Sequence, residues 1–169
     1  VQEVRAGGGM TNSNFVVKCR REWFILRIPG ACTKEMVDRK REEHNSLEGF
    51  HLGLNPENVY FDSDTGIKIT RYITDGVTLN GKTARLENSI RKTTNLLRRL
   101  HDSAVCMQGE FSVREEYEKY KRMIGKRNVT CYEGVEQADR LGYRLINRLE
   151  QLGTDRTPGH NDLVPENFV

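Results

Sequence analysis

The chain has 169 residues, enough for one or two small domains with a buried core. Charged residues make up 30% and hydrophobic residues 36%, the composition of a soluble, polar chain, with neither an apolar run long enough to cross a bilayer nor a charged-then-apolar signal at the start. The net charge of +3 is small and its basic residues are scattered, with Arg20-Arg21 and Arg98-Arg99 as isolated pairs, so nucleic acid is not an expected partner.

Residues 14–19 form a short β-rich run with Phe15, Val16 and Val17. Arg20-Arg21-Glu22 makes a turn, residues 23–28 form a second strand, and Pro29-Gly30 ends it, so the pair reads as a hairpin. Residues 33–50 have no internal Gly or Pro before Gly49 and predict a helix, with Met36, Val37, Leu47 and Phe50 as apolar positions. Residues 58–62 and 67–72 predict two more strands around the turn Ser63-Asp64-Thr65-Gly66. In the second of these, Ile67 and Ile69 alternate with Lys68 and Thr70, as one buried face requires.

After Asp75-Gly76 the pattern becomes helical. Ile90, Leu97, Leu100 and Ala104 recur at helical spacing. Ser112-Val113-Arg114-Glu115 is a capping box that opens a second helix. Val135, Ala138, Leu141, Leu145, Leu149 and Leu152 mark a third, with Gly153 as its stop. Strands with one helix followed by helices predict an α+β chain of two lobes, joined near residues 72–80. The expected division is a lobe of residues 1–76 and the first part of a helical lobe, 77–169.

The four cysteines, Cys19, Cys32, Cys106 and Cys131, form no Cys-x-x-Cys pair and have no His at zinc spacing. Reduced thiols in a cytoplasmic protein are the default for such a pattern. The isolated His44, His51 and His101 read as surface or packing residues rather than metal ligands.

Gly7-Gly8-Gly9-Met10-Thr11-Asn12-Ser13-Asn14 is a flexible loop rich in donors. Glycines let backbone amides approach a phosphate, and Thr11, Asn12 and Ser13 add polar groups. Taken alone, a glycine triplet suits an ordinary turn equally well. A dinucleotide fingerprint and a P-loop are both absent, and a strand follows the loop, as in kinases that cover ATP phosphates. Arg27 is a cation inside an apolar strand. It either faces water or aims at nucleotide phosphates, held by a glutamate of the following helix. Glu43 is the preferred partner, because Leu47 and Phe50 share its side of the helix at i+4 and i+7; Glu42 is the alternative.

The last ten residues contain His160-Asn161-Asp162 and, five residues after the Asp, Asn167. This spacing lets one loop serve a phosphate twice: the Asp accepts the proton of an attacking hydroxyl, and the Asn amide oxygen holds a magnesium ion. A capped polar turn is the plainer reading of the same residues.

Gly8-Gly9-Met10-Thr11-Asn12-Ser13-Asn14-Phe15, Phe24-Ile25-Leu26-Arg27-Ile28-Pro29-Gly30, Arg71-Tyr72-Ile73, Leu100-His101 and His160-Asn161-Asp162 occur in an order that resembles choline/ethanolamine kinases of the bacterial LicA type, within the aminoglycoside-phosphotransferase-like superfamily. The resemblance implies a protein-kinase-like fold with a small sheet lobe and a larger helical lobe. It implies ATP and Mg2+ as cofactors and an amino alcohol, choline or ethanolamine, as substrate, with an aminoglycoside or another alcohol as the alternative; a non-catalytic kinase-fold module is the reading from a different class. Asp162 would be the catalytic base, Asn167 a magnesium ligand and His160 a structural residue of the loop. Arg27 would contact ATP phosphates and pair with Glu43. Thr11, Asn12 and Ser13 would line the phosphate loop, and Tyr72 and Ile73 would form the hinge that meets adenine. The family has a metal-binding Asp on a strand shortly after the catalytic loop, and the sequence reaches Val169 before it. The expectation for the 169-residue chain alone is severely impaired phosphoryl transfer.

Overall fold

Five strands, β1 (Glu3–Gly8), β2 (Asn12–Cys19), β3 (Glu22–Pro29), β4 (Asn58–Phe61) and β5 (Lys68–Arg71), form one antiparallel sheet in the order β1-β2-β3-β5-β4. The computed structural model describes all residues except Met10, Cys32, Lys34, Glu35, Asn128 and Thr154. The hairpin read from the sequence is β2–β3, in continuous register from Asn12↔Pro29 to Cys19↔Glu22. Arg20 takes a positive φ of 57° in its two-residue turn, which matches the strands' right-handed twist. β1 adds an exposed edge that the sequence did not announce: the alternation Glu3-Val4-Arg5-Ala6 lasts only four residues before the glycines, and all six strand residues are exposed. It pairs with β2 and lays the Arg5 guanidinium 4.9 Å from the Trp23 ring centre.

The helix expected over residues 33–50 begins later. Helix α1 runs Arg39–His51, because Asp38 takes an extended backbone and its carboxylate accepts the Arg41 N–H at 3.1 Å. Residues 34 and 35 of the expected helix lie outside the described residues. Leu47 and Phe50 do not face the sheet: they are 46% and 39% exposed, while Ser46 and Gly49 are buried. Small residues on the inner face let the helix approach the sheet closely. Asn45 fixes it from the other side, donating to the Gln108 carbonyl at 3.0 Å and accepting its N–H at 2.7 Å.

Helices α2 (Glu87–His101), α3 (Val113–Gly125) and α4 (Val135–Leu152) follow. Helix α2 ends before Ala104, which is exposed beyond it, while Leu100 is buried. Ser112 accepts the Glu115 N–H at 3.3 Å and starts α3, and Gly153 at φ 62° stops α4. The chain forms two compact units: Val1–Gln108 with Thr157–Val169, and Gly109–Arg156. The second is a helix pair joined largely by polar contacts. Tyr117 donates to Asp139 at 2.7 Å, Tyr143 to Glu118 at 2.6 Å, and Arg114 to Glu150 at 2.7 Å. Among the described residues no helix is long and apolar enough to cross a membrane, and no cluster of three or more His, Cys, Asp and Glu could hold a metal.

Candidate active site

The sheet register places the glycine loop over the end of β3. Asn12 stands opposite Pro29, Ser13 opposite Ile28 and Asn14 opposite Arg27, and the Gly30 N–H donates to the Thr11 carbonyl at 3.1 Å. The Asn14 amide donates to the Gly8 carbonyl at 2.8 Å and cross-links the two arms of the loop. Gly9 has φ 135°, and a Cβ there would collide with the Asn12 carbonyl, so the tight arch needs glycine at that point. Thr11 and Ser13 are exposed, whereas the Asn12 Oδ1 atom is buried without a hydrogen bond.

Arg27 points toward α1 rather than open solvent. Its Nη1 lies 2.5 Å from Glu42 Oε1, and its Nη2 donates to the Gly66 carbonyl at 3.4 Å. The partner is therefore Glu42 and not the preferred Glu43. The reason is helix phase: Glu42, Ser46 and Gly49, at i, i+4 and i+7, share the face against the sheet, and the exposed Leu47 and Phe50 gave the wrong phase. Glu42 also accepts Arg39 at 2.7 Å, and Arg39 reaches the Thr33 hydroxyl at 2.7 Å. Burial raises the Glu42 carboxyl, but hydrogen bonds from Arg27 and Arg39 outweigh it and hold the group below the usual carboxylate range.

Lys68 is a residue that sequence reasoning missed. Its place in the Ile67-Lys68-Ile69-Thr70 alternation assigned it to the face away from the core. In the structure it is the register partner of Arg27, and its ammonium donates to Ser46 Oγ at 2.7 Å. Burial, then repulsion by Arg27, pushes that ammonium down to about 8, with Glu42 opposing the shift. A cleft of about 240 Å3 opens between the sheet and the start of β4, lined by Asn14, Ile25, Arg27, Asn55, Lys68 and Thr70. The signal that could have found Lys68 is a β3–β5 pairing, which only the three-dimensional strand order supplies.

The terminal loop is held by its own side chains. Asn167 donates through Nδ2 to Asp162 Oδ2 at 2.9 Å and to the Asp162 carbonyl at 3.0 Å. The amide oxygen of Asn167 then faces no donor among the described residues, which suits a hard oxygen ligand for Mg2+. The Asp162 N–H donates to His160 Nδ1 at 3.3 Å, and the His160 ring stacks on Phe168 with centres 5.6 Å apart. Asn161 takes φ 61° at the turn.

Tyr72 and Ile73 follow β5 directly, with the Tyr72 N–H bonded to the Trp23 carbonyl at 3.0 Å. The terminal loop is seated beside this segment. Leu79 N–H donates to the Phe168 carbonyl at 2.8 Å, and a Cβ on Gly76 would collide with Val169 Cγ1. Arg27 and its partners, the glycine loop, residues 72–79 and the Asp162 loop thus belong to one compact unit.

No protein-family model matches the chain. Protein LicA of Haemophilus influenzae is 32% identical over 164 residues, which are 96% of this chain and 48% of that protein. The solved structure of choline kinase LicA from Streptococcus pneumoniae superposes with a TM-score of 0.87 at 34% identity, covering 98% of this chain and 58% of that one. A structure of LicA in complex with AMP superposes at 0.82 and 33% identity, with the same coverage. The chain spans about half the length of the curated relatives it matches. It is a homologue of the LicA choline kinases and carries their kinase-like fold over that half.

Proposed function

We propose that the protein is an ATP- and Mg2+-dependent kinase that transfers the γ-phosphate to the hydroxyl of an amino alcohol, choline or ethanolamine. The carrying observation is the Asp162–Asn167 pair at 2.9 Å on one loop, in a chain homologous to LicA. Asn167 orients the Asp162 carboxylate through one oxygen and leaves the other to accept the substrate hydroxyl proton. Its own amide oxygen would hold Mg2+, which neutralises charge on the transferring phosphate. Arg27, fixed by Glu42, would contact the ATP phosphates beneath the glycine loop. Tyr72 and Ile73 would offer backbone groups to adenine, and His160 would brace the loop by its stack on Phe168.

The same reading assigns the nucleotide lobe to residues 1–76 and the start of the helical lobe to 77–169. It also assigns a cytoplasmic enzyme that does not act on nucleic acid. The AMP complex of a LicA homologue supports the nucleotide. The test, run on the full-length protein rather than on these 169 residues alone, is transfer of 32P from γ-labelled ATP with Mg2+ to choline, ethanolamine or an aminoglycoside. Labelled phosphocholine or phosphoethanolamine is expected. Label on the aminoglycoside alone, or on none, would refute the reading.

A further inference from the structure

The cleft beside Arg27 is unbalanced in charge. Among the described residues, three cations, Arg27, Arg39 and Lys68, surround one carboxylate, that of Glu42, and both of its oxygens are taken by the arginines. Among the described residues Lys68 has the neutral Ser46 hydroxyl as its one hydrogen-bond partner, and an ammonium carries three donor hydrogens. Arg27 also keeps its Nε buried with no acceptor among the described residues. Two adjacent cations with spare donors, lining one wall of a cleft, match an anionic ligand with several oxygens.

We infer that Lys68 is a second phosphate-directed cation of the nucleotide site, acting beside Arg27 from the neighbouring strand. The inference rests on the proposed ATP reading and adds a ligand-contacting residue to it. Strand pairing fixes the two cations side by side, as Arg27↔Lys68. The polyphosphate would supply the negative charge that Glu42 alone does not. Among the described residues, the charged groups facing Lys68 are Arg27 on β3 and Glu42 on α1, with Arg39 beyond Glu42; β4 contributes the neutral Asn58, through Ser46, and the Phe61 ring.

This placement couples nucleotide binding to pH. The Lys68 ammonium, pushed down to about 8 by burial and by Arg27, regains protons when a polyanion arrives. Nucleotide binding should therefore take up protons near pH 8 and weaken as pH rises.

The experiment is calorimetric titration of the protein with Mg-ADP between about pH 7.5 and 9.5, in buffers of differing ionisation enthalpy. The wild-type protein should take up protons, and its Kd should rise about tenfold over the window, as one pKa unit of differential binding requires. Lys68→Met should bind more weakly at the low end of the window with a flat profile. Lys68→Arg should restore affinity and also stay flat. Both variants should fold and melt cooperatively, which separates lost binding from lost fold. Tight ADP binding by the wild-type protein with no proton uptake, and unchanged by Lys68→Met, would overturn the inference while leaving the ATP reading intact. Absence of ADP binding by the wild-type protein at every pH would overturn both.

Discussion

Glu42 receives Arg27 on one carboxylate oxygen at 2.5 Å and Arg39 on the other at 2.7 Å. One helical carboxylate thereby locks a β3 cation and the first turn of α1 together.

Glu42→Gln should damage both fold and site, and Glu43→Gln should not. Removing the charge leaves two arginines, whose side chains are only 18% and 10% exposed, without a counter-ion among the described residues. Breaking a fully buried pair costs about 3–5 kcal/mol, and partial exposure reduces this to about 2 kcal/mol here. Chemical denaturation should show that loss. The KM for ATP should rise about tenfold, which corresponds to about 1.4 kcal/mol of weakened phosphate contact from an unanchored Arg27. Equal effects of the two substitutions would contradict the observed helix phase.

The free protein should respond to pH at both ends. The Glu42 carboxyl sits below its unfolded value of 4.5, so its contribution to stability is present above that value and lost as pH falls through the folded one. Lys68 works in the opposite sense from a favourable pair. Its ammonium lies at about 8 when folded and 10.5 when unfolded, so the unfolded chain binds the extra proton between these values. Stability should therefore rise with pH across that window. Urea midpoints measured across the same window should climb more in the wild-type protein than in Lys68→Met. A fall, or identical slopes, would contradict the burial of Lys68.

Gly76→Val should disturb the terminal loop without touching it chemically. The new Cβ would collide with Val169 Cγ1 and fall 2.9 Å from Ile73 Cγ2. Overpacking of this kind costs about 1–3 kcal/mol. Turnover should fall while Mg-ADP affinity stays within a few-fold, measured by steady-state kinetics and calorimetry. Unchanged kinetics would show that the seating of the loop beside residues 73–79 does not matter for the chemistry.

The parts of the site that were legible in the sequence are those carried by local spacing. The glycine loop before a strand, Arg27 within an apolar run, and Asp162 with Asn167 on one loop each lie within a few residues of chain. What was not legible depends on elements meeting across space. Glu42 was passed over because α1 buries Ser46 and Gly49 rather than its largest apolar residues. Lys68 was missed because its alternation with Ile67 and Ile69 put it on the outer face, whereas the β3–β5 pairing sets it beside Arg27. Strand β1 was missed because an exposed edge strand has no buried face to write an alternation into its sequence. The late start of α1 was a capping effect: Asp38 outweighed the helix-compatible residues before it.

The most direct test of Asp162 as the base is single-turnover phosphoryl transfer to choline by Asp162→Asn, alongside Mg-ADP binding by the same variant. Asn replaces the carboxylate with a near-isosteric group that cannot accept the hydroxyl proton. General-base contributions are typically about 10²–10⁴-fold, so the rate should fall by that order while ADP affinity and Tm stay close to wild type. Asn167→Ala should instead raise the Mg2+ concentration needed for half-maximal rate. A rate for Asp162→Asn within a few-fold of wild type would remove Asp162 as the base and, with it, the proposed use of the terminal loop.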